Sequence, residues 1–145
     1  MELIREIVCQ LCFDGKSSEK IFSLLNLYLP KYEPLNLDYT SRRNSKKGFE
    51  SNEEMIEYFV NTDHINQTFY WGQYVDNPDK IWFGVNIKDD NKTIFSLTID
   101  GTIALAEIYL HDLKQKLNSD IGVITFVNPA EYENGTDFKE RYQNF

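Results

Sequence analysis

Residues 69–101 read "FYWGQYVDNPDKIWFGVNIKDDNKTIFSLTIDG", and the way these three runs pair decides the fold. Each run alternates apolar residues, and two clusters of turn formers, "DNPDK" and "KDDNK", separate them. Between Lys80 and Asp100 the alternation selects its own register. If Lys88 faces Lys92 across the turn, Val85 meets Phe95, Phe83 meets Leu97 and Ile81 meets Ile99. All six side chains then share one face, and a slip of one residue would scatter them. The earlier turn places Val75 opposite Ile81 and Trp71 opposite Val85. A three-stranded meander is the expectation.

The other face of that meander carries Tyr70, Tyr74, Trp82, Asn86, Ile94, Ser96 and Thr98. Tyr74 and Trp82 are expected to be cross-strand neighbours near "DNPD", with Tyr70 further along. Such a face is too aromatic for plain solvent surface. It is either a second packed layer, covered by a helix or the C-terminal tail, or an open binding face. Tyr and Trp suit both, because their rings tolerate half-buried positions.

Downstream, Thr102 opens "TIALAEIYLHDLKQKL", in which Ile103, Ala106, Leu110, Leu113 and Leu117 recur at helical steps. "IGVITFV", residues 121–127, is apolar on both parities and predicts an interior strand. Strand, helix, strand is a crossover unit, so residues 121–127 should run parallel to residues 93–99. A short helix is expected after Thr136.

Upstream, Leu3, Ile4, Ile7, Val8 and Leu11 fall at helical spacing and predict a helix over 2–13, with the β-branched content leaving a strand open. Ser17 or Ser18 caps a helix running to about Leu29, and Pro30 ends it. Residues 35–50 begin with alternation and become a loop holding Arg42, Arg43, Lys46 and Lys47, the chain's basic cluster. It reads as a solvated loop, with an anion site as the alternative. Ser51 with Glu54 forms a capping box ahead of "NEEMIEYFVN".

With 145 residues, 41% of them hydrophobic and 14% aromatic, the chain suffices for one folded domain, 1–145, without metal or disulfide staples. The expected class is α+β: a mainly antiparallel sheet, built from the meander plus a crossover strand, with helices packed on it. Fifteen Lys and Arg against 23 Asp and Glu give a net charge of −8. That surface repels nucleic-acid backbones and anionic membranes and permits a basic protein partner. Cys9 and Cys12 have no second pair at zinc spacing and read as buried thiols. With no secretory leader pattern and no membrane-length apolar run, the expected address is the cytoplasm.

Catalysis needs a constellation, and the candidates are thin. His111 and Asp112 are sequence neighbours on a helix and point about 100° apart. His64 lies beside Asp63, where polar residues terminate a helix. Asp76, Asp79, Asp89 and Asp90 sit in turns, where Asp has its own conformational reason to be. No cofactor and no metal is implied.

Two resemblances bear on function. Helices, a meander, a helix and then a strand resemble the acetyltransferase (GNAT) order over residues 52–127. That resemblance implies an acyl-coenzyme A pyrophosphate held on backbone N–H groups where "DGTIALAEIYL" opens the helix. The family's spaced glycines are missing there, and Ile103 and Leu105 would crowd a phosphate. The acidic turns "VDNPDK" and "KDDNK", the acidic helix "SNEEMIEYF" and the face with Tyr70, Tyr74 and Trp82 make the chain similar in type to immunity proteins of bacterial polymorphic and contact-dependent toxin systems. This resemblance implies a protein that binds its cognate toxin, often a basic nuclease, and blocks its active site. The expected contact residues are Tyr74, Trp82, Asp76 and Asp79. A binding and neutralising protein is the leading expectation; an acetyltransferase-like enzyme is the alternative, and a scaffold or accessory subunit the third reading.

Overall fold

The elements among the described residues are β1 (Ile4–Phe13), α1 (Ser18–Tyr28), α2 (Asn52–Asn61), β2 (Gln67–Trp71), β3 (Trp82–Ile87), β4 (Thr93–Gly101), α3 (Ile103–Leu117), β5 (Gly122–Phe126) and α4 (Gly135–Tyr142). These five strands form one sheet in the order β2-β3-β4-β1-β5, with every neighbouring pair antiparallel. This computed structural model describes residues 3–37 and 48–144. The basic cluster Arg42, Arg43, Lys46 and Lys47 lies outside the described residues.

The fold is α+β, as its sequence pattern predicts. Phe83 pairs with Leu97 and Val85 with Phe95, and the Lys88 N–H donates to the Lys92 carbonyl at 2.9 Å. The alternation forces that register, because it alone buries Phe83, Val85, Phe95 and Leu97 together. The first hairpin differs from expectation by two residues: Trp71 pairs with Phe83 and Phe69 with Val85. The sequence between Gly72 and Ile81 is a longer loop than a tight turn, which leaves Val75 and Tyr74 outside the sheet and exposed.

Residues 4–13 take the strand that their β-branched content leaves open, not the helix that their spacing predicts, and this strand, β1, is inserted between β4 and β5. Its side chains are buried on both faces: Ile7, Cys9 and Leu11 on one, Val8, Gln10 and Cys12 on the other. A run apolar on both parities satisfies helical spacing by accident, and burial on both sides is its real cause. The crossover has the expected direction, since β4 and β5 both run antiparallel to β1 and hence parallel to each other. β5 is an edge strand, however, not an interior one. Its double apolarity comes from α3 on one side and the C-terminal segment on the other.

The main core fills the first face. Helices α1, α2 and α3 place Ile21, Leu24, Leu25, Met55, Ile56, Phe59, Ala106, Leu110 and Leu113 against Ile7, Phe83, Phe95 and Leu97. Ser17, Ser51 and Thr102 cap these helices, each hydroxyl accepting from an N–H three residues on. A smaller core forms on the second face, where Phe138 of α4 covers Cys12, Ile94 and Val123.

Candidate functional site

The second face is covered at one end and open at the other. The C-terminal segment crosses it under three restraints. Ala130 N–H donates to Gln10 Oε1 at 2.7 Å, Asn86 Nδ2 donates to the Tyr132 hydroxyl at 2.6 Å, and Lys88 Nζ lies 5.8 Å from the Tyr132 ring centre. Burial pushes the Tyr132 phenol up to about 12. The Asp89–Asp90 turn then receives α4: the Asp90 carboxylate accepts from Thr136 N–H at 2.7 Å and from its hydroxyl at 3.1 Å. Partial burial disfavours the Asp90 charge, yet the bonds from Thr136 and from the backbone of Gly135 and Lys92 hold its carboxyl below the usual range. Asp90 of the second turn therefore docks a helix end.

Beyond that cover the face is exposed, and its aromatic residues have a local reason to be there. Tyr70 stands opposite Gly84 in the ladder, and a Cβ on Gly84 would lie 2.8 Å from the Tyr70 ring and 2.2 Å from Ser96 Oγ. A Cβ on Gly72 would meet the Trp82 indole at 2.7 Å. Each ring lies flat over a glycine, replacing the side chain that the glycine lacks. Tyr70 and Trp82 nevertheless remain 55% and 47% exposed. Of the two alternatives for this face, cover by the C-terminal segment holds at one end, and the other end is exposed.

An open groove of about 400 Å³ runs alongside these rings. Strand residues Val8, Gln10, Ser96 and Thr98 line it together with Tyr70 and Trp82, and Val127 and Pro129 border it on the C-terminal side. Glu6 lines it from a β-bulge. Between Ile4 and Ile7 the strand carries one extra residue, Glu6 has φ of 56°, and its N–H donates to Asp100 Oδ1 at 2.9 Å. The Glu6 carbonyl accepts from Val127 N–H at 2.8 Å, and Val127 also has positive φ, 66°, which is costly for a β-branched residue. Two left-handed residues thus lock together at the rim. A second basin of about 520 Å³, sharing Glu6, Trp82 and Thr98, adjoins it toward Arg5, Lys80 and Asp100.

The four residues expected as contacts are distributed around this end of the sheet. Trp82 lies on the open face. Tyr74, 80% exposed, projects from the loop between β2 and β3. That loop is braced by Gln73, whose Oε1 accepts from Lys31 N–H at 2.6 Å, and by Asn77, which bonds the Ile81 backbone in both directions. Asp76 pairs with Lys31, which lowers its carboxyl from the ordinary range. Asp79 accepts from the Tyr109 hydroxyl of α3 at 2.7 Å and so faces the first layer of helices. Trp82 and Tyr74 are not ladder partners, because β2 ends at Trp71 and Tyr74 lies in the loop beyond it.

Cys9, Cys12, His64 and the start of α3 have structural partners. Cys9 and Cys12 lie on opposite faces of β1. Burial pushes the Cys9 thiol up to about 12; burial, followed by the nearby Asp14, does the same to Cys12. His64 Nδ1 is 3.0 Å from the Asp89 carbonyl. At the start of α3, Thr102 Oγ1 occupies the Leu105 N–H at 3.2 Å, and a Cβ on Gly101 would meet Leu105 Cδ2 at 2.9 Å. Among the described residues no group of three or more His, Cys, Asp and Glu could hold a metal ion, and no helix is long and apolar enough to cross a membrane.

Two features of the sequence conceal the groove. A helix over 2–13 gives Glu6, Val8 and Gln10 no place beside Trp82, and a register with Trp71 opposite Val85 puts neither Tyr70 nor Trp82 against a glycine. The pairs Tyr70–Gly84 and Gly72–Trp82 are the signal that the sequence holds.

No protein-family model matches the chain, and no curated protein matches it. Among solved structures, a chain in the crystal structure of the toxic C-terminal tip of CdiA from Pseudomonas aeruginosa in complex with immune protein is similar at 13% identity. The match covers 89% of this chain and 92% of that one, with a TM-score of 0.42. A likeness of that size carries no functional argument.

Proposed function

We propose that the protein is a binding protein of the cytoplasm, not an enzyme, which captures a cognate basic toxin and neutralises it by covering its active site. The observation that supports this most is the cluster of Tyr70, Tyr74 and Trp82, three rings between 47% and 80% exposed at one end of the sheet. Rings held against glycines or carried on a braced loop lose little freedom on binding, which suits them as anchors. A net charge of −8 supplies long-range attraction for a basic partner and speeds its capture.

The test is co-expression with the reading frame immediately upstream. The reading expects that frame to encode a protein that stops growth alone, is harmless with this chain present, and co-purifies with it. An upstream product that is harmless alone, or that kills equally with this chain present, overturns the reading.

A further inference from the structure

The groove beside Trp82 has an uneven chemistry. Its lining holds one formal charge, that of Glu6, and no cation. The Glu6 carboxylate makes no hydrogen bond or ion pair with any described residue; only its backbone is engaged. Ser96, 8% exposed, and Thr98 likewise have hydroxyls without a partner among the described residues. Ser96 is nine-tenths buried with no partner for its hydroxyl, whereas Glu6 is open to water; a ligand rich in donors can bond both. The adjoining basin, which shares Glu6, also holds Arg5, Lys80 and Asp100.

From these groups we infer that the groove seats an arginine side chain presented by the basic protein partner. The inference rests on the binding reading above and deepens it. A guanidinium offers five N–H donors in one plane, matching a carboxylate and hydroxyls spread along strands. Its flat faces stack on indole and phenol rings, and here Trp82 and Tyr70 border the site. A lysine ammonium would satisfy the charge but neither the plane nor the spread of acceptors. A neutral side chain would leave Glu6 desolvated without a counter-charge.

The probe is acetyl-Gly-Arg-Gly-amide, titrated into the full chain while the two indole N–H resonances are followed by NMR. Trp71 is 1% exposed and serves as an internal reference for Trp82. The expected result is a saturable shift of Trp82 alone, with dissociation in the millimolar range, as a single side chain allows. The citrulline peptide, of the same shape but neutral, should bind at least tenfold more weakly, and the lysine peptide also more weakly. Glu6→Gln, which keeps the bulge geometry, should weaken the arginine peptide roughly fivefold. Equal binding of arginine and citrulline peptides, equal binding of arginine and lysine peptides, or no saturable shift overturns the inference. The two readings fail separately. If the arginine peptide seats but no upstream toxin is neutralised, the immunity reading falls alone. If neutralisation succeeds equally with Glu6→Gln and the peptide does not bind, the arginine site falls alone.

Discussion

Truncating Trp82 to alanine removes an indole that is 47% exposed and lies over Gly72. A fully buried tryptophan covers up to about 250 Å². Slightly more than half of that, roughly 130 Å², is out of water here, worth about 3 kcal/mol at about 25 cal/mol per Å². The vacated site opens to solvent, so no cavity cost is added. A compact unfolded chain already hides part of the area, which brings the expected loss to about 2 kcal/mol. For 145 residues the entropy of unfolding is about 0.3 kcal/mol/K, so the melting temperature should fall by about 7 °C. The variant stays folded at 25 °C, and its affinity for the partner can be measured directly. An anchor role predicts a further loss of about 2 kcal/mol in binding, near thirtyfold. Trp82→Phe keeps a ring over Gly72 and should recover much of the melting temperature. An unchanged melt would refute the packing of the ring on Gly72. A normal titration with folded Trp82→Ala would refute the anchor.

Phe95, fully buried between Phe13 and Phe83, should cost about 3–5 kcal/mol when changed to alanine, read by urea unfolding; a loss below about 1 kcal/mol would contradict the register that buries it. The Asp90 carboxyl is depressed in the folded chain, so its contribution is present above the ordinary Asp value near about 3.9 and disappears as pH falls through the folded value. Protection of the α4 amides, corrected for the intrinsic pH dependence of exchange, should therefore fall below about pH 4 ahead of that of the α3 amides, and Asp90→Asn should remove that difference. With both thiols raised to about 12, a disulfide reagent at pH 8 should label Cys9 and Cys12 only at the rate of unfolding. Rapid labelling of the native chain would place a thiol at the surface. Acetyl-coenzyme A at millimolar concentration should give no saturable heat in calorimetry; micromolar binding would revive the acetyltransferase reading.

How much was legible in advance follows from how each segment is buried. The β3–β4 hairpin was readable to the residue because one face of it is core and one is not at Phe83, Val85, Phe95 and Leu97. Helices α1, α2 and α3 were readable from Ser17, Ser51 and Thr102, whose hydroxyls mark where each begins. β1 was not, because a strand buried on both sides erases the alternation that identifies strands, and its neighbours lie far along the chain. The aromatic face was recognised as unusual, yet its composition could not separate the covered end at Ile94 from the open end at Trp82. That division depends on where the C-terminal segment crosses, which is set by Gln10 and Asn86 through single hydrogen bonds.

The central place of β1 has a consequence for how the protein is made. Cys9 lies between Leu97 and Ile124, so the first strand of this sheet to be synthesised is flanked by strands that follow roughly 90 and 115 residues later. At about 5–20 residues per second, the run "IREIVCQLCF" waits on the order of five to twenty seconds without either neighbour. During that wait it is an apolar, β-prone segment with both edges unpaired, the kind of chain that recruits foreign strands. The meander can form while β1 waits, but the sheet cannot close until β4 and β5 have both emerged. Nascent chains stalled before residue 121 should consequently bind chaperones through residues 4–13, and released full-length chains should not.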